Sequence, residues 1–132
     1  RVPPGAATDL DELSKRVPDV VPEVIPLERG SFRWRLGVPP DGSLPSCPGG
    51  GPSGSGVIPT VIQWNVETTP AQELPPSHLG LRKLVGRHPQ LEPVQAALAT
   101  LGAEHLIYLQ RSDGEAGLEA EFMTTSGVRV LT

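Results

Sequence analysis

The chain has 132 residues, enough to bury one hydrophobic core and too few for two. A formal charge of −4 argues against nucleic acid or an anionic membrane surface as its main partner. No apolar run approaches the roughly 20 residues needed to cross a bilayer, so a soluble chain is expected.

Cys47 is the single cysteine and has no partner for an internal disulfide. It sits among prolines and glycines, with no His, Lys or Arg beside it to lower its pKa, and so reads as a passive loop thiol. The sequence opens at Arg1 rather than Met. That is expected of a processed form or of the ordered part of something longer, and no targeting segment is visible. An intracellular or organellar setting is favoured over secretion.

In chain order, Thr8 followed by Asp11 approximates a capping box. Leu10, Leu13 and Val17 then recur at helical spacing until Pro18 ends the helix. Pro22 and Pro26 confine the next stretch to a loop or a sheet edge. From Ser31 to Val38 the pattern alternates: Phe32, Trp34, Leu36 and Val38 face one way, Arg33 and Arg35 the other.

Pro39 to Gly56 is a Gly/Pro/Ser-rich segment opened by the turn Pro40-Asp41-Gly42, and it reads as a flexible surface loop, a lid or an insertion. Its glycine run, Gly49 to Gly56, is not a phosphate-binding loop. No Lys and no helix start follow it, only Val57-Ile58-Pro59. Thr60 to Val66 is a second strand, expected to be covered on both sides. Pro70, Pro75 and Pro76 mark a linker over residues 67–78.

The C-terminal part is the most regular. Gly80 to Arg87 reads as a strand ended by His88-Pro89. Leu91, Val94, Leu98 and Leu101 then form an apolar helical stripe, with Pro93 in the first turn and Gly102 as terminator. Leu106 to Gln110, Leu118 to Thr125 and Val128 to Leu131 are strands joined by the turns Ser112-Asp113-Gly114 and Ser126-Gly127. Such short turns predict three antiparallel neighbours.

Phe32-Arg33-Trp34-Arg35-Leu36, Val61-Ile62-Gln63-Trp64, Arg87-His88-Pro89, Ala96-Ala97-Leu98 to Leu101-Gly102 and Thr124-Thr125-Ser126-Gly127-Val128 follow one another in this order. Over roughly residues 30–132 this succession resembles a glyoxalase-like domain of the vicinal oxygen chelate superfamily. The resemblance implies an α+β fold, a curved antiparallel or mixed sheet built from paired βαβββ units whose concave faces enclose a site. It implies one domain over residues 1–132. Residues 1–66 are a partial first unit lacking its opening strand, 67–78 a linker, and 79–132 a complete second unit. An unpaired sheet edge is normally covered, so a protein partner or a homo-oligomer is expected.

Metal-dependent members of the superfamily hold their ion with His and Glu on the first and last strands of each unit. Here His88 could take the opening-strand role, but the closing strand offers Val130 where Glu is required. Three protein ligands cannot be assembled, so no metal and no other cofactor are expected. Arg33 and Arg35 lie about 7 Å apart on one strand face and could grip a carboxylate or phosphate. The alternative leaves them solvated or paired with Glu28 and Glu119. Gln63 and Trp64 point oppositely, so one is core and one is site.

Candidate ligand-binding residues are therefore Arg33, Trp34, Arg35, Gln63, Trp64 and His88, with no catalytic residue assigned. His78 and His105 read as surface histidines. Two functions compete. One is a non-catalytic accessory or interaction subunit that kept the fold. The other is a metal-independent domain that binds, or acts as lyase or isomerase on, a small anionic or carbonyl compound. The first is favoured, which makes an enzyme the weaker expectation.

Overall fold

In a computed structural model, residues 9–132 are described. The elements are α1 (Leu10–Arg16), β1 (Val24–Arg29), β2 (Phe32–Gly37), β3 (Val61–Trp64), α2 (Pro70–Glu73), β4 (Gly80–His88), α3 (Leu91–Leu101), β5 (Tyr108–Arg111), β6 (Gly117–Thr124) and β7 (Gly127–Leu131). This is the expected α+β arrangement of helices against antiparallel and mixed sheets. Thr8 lies outside the described residues. The α1 N-cap is Asp9, whose carboxylate accepts the Asp11 N–H at 3.4 Å.

The first sheet runs β1-β2-β3, antiparallel throughout. Gly30, at φ +60°, lets the chain reverse in two residues, so Arg29 stands opposite Phe32. Pro26 is tolerated because β1 is an edge. α1 lies on the face that carries Arg35: Asp9, Asp11 and Gln63 all bond its guanidinium, and the Leu10 N–H donates to Gln63 Oε1 at 3.3 Å. Gly37 is on that same face, where a Cβ would stand 2.6 Å from Val21 Cγ1. Close packing there leaves no room for a side chain.

The second sheet runs β5-β4-β6-β7. Leu106 to Leu131 was expected to give three consecutive antiparallel strands. Instead β5 pairs parallel with β4, and β6 takes the opposite edge of β4. The cause is the α3 crossover, which returns the chain beside β4 in the same direction. Only β6 and β7 form the expected hairpin. β5 starts at Tyr108 because Ala103 to Leu106 is a turn, closed by Leu106 N–H to Ala103 O at 3.0 Å. Gly102, at φ +66°, ends α3 as expected.

The largest correction concerns residues 39–56. This segment is not a flexible surface loop. Pro45, Cys47 and Gly54 are buried, as are the following Val57 and Ile58. Cys47 N–H bonds Pro52 O and Gly54 N–H bonds Pro45 O, both at 2.9 Å. The amides of Gly49 and Gly50 donate to Asp19 Oδ2 at 2.9 and 3.3 Å, so the glycine run binds a carboxylate of its own chain. The segment expected to be only a linker holds the one-turn α2, started by Thr69 N–H donating to Gln72 Oε1 at 2.7 Å.

One apolar cluster joins these parts. Leu10 and Leu13 come from α1, Cys47, Val57 and Ile58 from the intervening segment, and Val94, Ala97 and Leu98 from α3. In the second sheet Gly86 faces this cluster; a Cβ there would meet Val57 Cγ1 at 2.6 Å. Both helices therefore cover the same side of the molecule. Among the described residues, the other face of each sheet is left without a long helix.

Candidate functional site

Alternation along β2 puts Phe32 and Trp34 on the face opposite α1, and the register aligns Trp34 with Trp64. Both tryptophans of the chain and one of its two phenylalanines thus meet on the uncovered face. The Trp34 and Trp64 ring centroids are 5.4 Å apart with planes inclined at 48°. Phe32 meets Trp64 edge-on at 6.4 Å and 74°. Each ring is half-buried. They line a cleft of about 610 Å³, bounded also by Arg29, by the Gly30-Ser31 turn and by Pro70 at the start of α2. That volume is within the usual range for small-molecule sites.

Among the described residues the lining has one charge. Arg29 is paired with Phe32 across the hairpin and makes no ion pair among those residues. No described acid, His, Cys or Lys lines the cleft. It can stack on a planar group and hold an anion, but its lining offers no group suited to moving a proton near neutrality.

The uncovered face of the second sheet mixes charged and apolar side chains, with Met123, Val128 and Val130 exposed on it. On β4, β5 and β6, Arg87 bonds Glu119 at 3.0 Å, and Lys83 Nζ stands 5.1 Å from the Tyr108 ring centroid.

A family model described as a glyoxalase-like domain matches residues 6–102, most of the chain. The chain belongs to this glyoxalase-like family. The match is consistent with the vicinal oxygen chelate superfamily, and no curated protein or solved structure matches.

Within this glyoxalase-like domain the residues singled out by sequence divide between two sides. Trp34 and Trp64 line the cleft. Gln63 and Arg35 lie together on the α1 side, where Arg35 is held by Asp9, Asp11 and Gln63. The hydrogen bond from Arg35 holds the Asp9 carboxyl below its ordinary value, and the two aspartates raise the Arg35 guanidinium. Arg33 stands 3.6 Å from Glu28 on the surface.

His88 is only 3 % exposed and lies on the core side of β4. Its Nε2 donates to Ser53 O at 3.1 Å, while Nδ1 accepts the Gln90 N–H at 3.1 Å. Both ring nitrogens are engaged by main chain. The donor set does not fit the superfamily's metal: among the described residues no three His, Cys, Asp or Glu side chains converge. Val130 stands opposite Glu121 across the β6–β7 hairpin.

Sequence pattern alone does not single out Arg29, Ser31 or Pro70 for this cleft, and it gives Phe32 only as a residue on the Trp34 face. The signal for Arg29 lay in Gly30: a two-residue reversal brings Arg29 onto the face that Phe32 shares with Trp34.

Proposed function

We propose that this glyoxalase-like domain is a metal-independent binding module that takes a planar small molecule between Phe32, Trp34 and Trp64. One observation carries the reading. Three aromatic rings converge on a cleft of about 610 Å³ over a sheet face opposite the one that α1 covers. Large apolar side chains left uncovered in this way are a recurring mark of ligand sites.

The test is a titration of planar aromatic compounds, read by the two indole N–H signals in a heteronuclear NMR spectrum. Saturable shifts of both are expected. Trp34→Ala should weaken binding roughly tenfold, given about 0.5–1.5 kcal/mol for an aromatic pair plus its buried area. Absence of any saturable shift across such a panel would refute the reading.

A second reading, an accessory subunit of a larger assembly, is favoured by β7. All five of its residues are exposed, Val130 at 52 % and Leu131 at 64 %, and it is a sheet edge with no proline. Pairing through this edge, with a protein partner or a second copy, would give a larger species by light scattering. Val130→Lys should abolish it. A monomer at high concentration and in native extract would count against this reading.

A further inference from the structure

We infer that the cleft selects aromatic anions, with Arg29 as the specificity-determining residue and an aryl carboxylate as the ligand class. The inference rests on the binding reading above and names its ligand.

A cage of aromatic rings alone favours cations, because each ring presents the negative face of its quadrupole. Two features of this cleft reverse that preference. Among the described residues the lining contains no carboxylate to neutralise an incoming cation. The lining does contain Arg29, which repels one.

Arg29 is directed to this task by register. It is the partner of Phe32 across the β1–β2 hairpin, which puts the two side-chain roots about 5 Å apart on one face. Its neighbour Glu28, on the opposite face, is spent on Arg33 at 3.6 Å. Arg29 itself has no ion-pair partner among the described residues. A planar guanidinium offers two parallel N–H donors to a carboxylate. The adjacent turn adds Ser31 to the rim, and Gly30 keeps it open, with no described atom within 4 Å of where its Cβ would be. A ligand whose ring stacks on Trp34 and Trp64 and whose carboxylate reaches Arg29 satisfies both halves of the site.

The experiment compares three compounds of one shape: 2-naphthoate, neutral 2-naphthamide and cationic 2-naphthylmethylammonium. Calorimetry gives the affinities, and the two indole N–H signals report contact with the cleft. 2-Naphthoate is expected to bind about tenfold or more tightly than the amide, with the ammonium weakest. Arg29→Gln should bring the ratio of carboxylate to amide affinity down to about one. Arg33→Gln, on the opposite face, should preserve the discrimination.

Equal affinities for carboxylate and amide, with both indoles shifting, would overturn the anion preference and leave the binding module standing. So would discrimination that survives Arg29→Gln. If none of the three compounds moves either indole, both the preference and the binding reading fall.

Discussion

Replacing His88 with alanine should destabilise the protein by about 2–3 kcal/mol while leaving cleft binding intact. The ring is 3 % exposed and joins two segments far apart in sequence, Ser53 through Nε2 and Gln90 through Nδ1. Truncation orphans one carbonyl and one amide. Both belong to residues near the surface, so each loss falls at the low end of the usual range, about 1 kcal/mol. The void left by the ring adds roughly another 1 kcal/mol. For a chain of this size the total corresponds to a drop in Tm of about 6–12 °C.

Urea denaturation of His88→Ala and His88→Phe separates the two contributions. The phenylalanine variant fills the space but makes neither hydrogen bond. Both variants should bind a planar aromatic ligand as the parent does, because His88 lies on the core side of β4. A loss of less than about 0.5 kcal/mol in His88→Ala would refute the clamp. Unaltered stability with abolished ligand binding would instead place His88 in the recognition machinery.

Three further outcomes are expected. Gly86→Ala drives a Cβ to 2.6 Å from Val57 Cγ1 and should cost about 1–3 kcal/mol. The double variant with Val57→Ala should be less destabilised than the sum of the singles, and additivity would refute the contact. The folded-state pKa of Asp9 is depressed below 3.8, chiefly by the Arg35 hydrogen bond, so its stabilisation is present above that value and lost as pH falls through the lowered one. Denaturation midpoints between about pH 5 and pH 2 should show this loss in the parent protein and a smaller one in Arg35→Met. Burial pushes the Cys47 thiol above 9.0, so it should react with a disulfide reagent roughly 100-fold or more slowly in the native protein than in denaturant. Prompt native labelling would mean that residues 45–58 are not packed.

Local pattern made much of the fold legible. Alternation from Ser31 to Val38 marked β2, and the stripe Leu91, Val94, Leu98, Leu101 with Gly102 marked α3 and its end. The order of β5 and β6 was less accessible, because a short turn suggests a hairpin. Only the crossover through α3 shows that β4 must lie between them. The packing of Pro45, Cys47 and Gly54 was hidden for a different reason. Gly/Pro-rich composition ordinarily signals solvent, and nothing local reveals that Ile58 and Val57 will close over such a segment.

The cleft was half visible. Trp34 and Trp64 stood out as large side chains on strands, while Arg33 and Arg35 lie on the other face of β2, the one that α1 covers. Which side of β2 is the core depends on where α1 docks. Leu10 and Leu13 bury α1 there, and Asp9 and Asp11 bond Arg35, a contact 24 to 26 residues away in sequence.

The shared apolar cluster also governs how the molecule comes apart. Residues 71–80 are exposed throughout, so a protease could cut the backbone there without touching the interior. The two products would each keep a sheet and a helix, yet neither would hold a whole interior, since Val57 and Ile58 are on one and Val94, Ala97 and Leu98 on the other. The halves should consequently melt in one cooperative transition and re-associate when nicked. Complementation between the pieces, rather than independent folding, is the behaviour that this division of the core dictates.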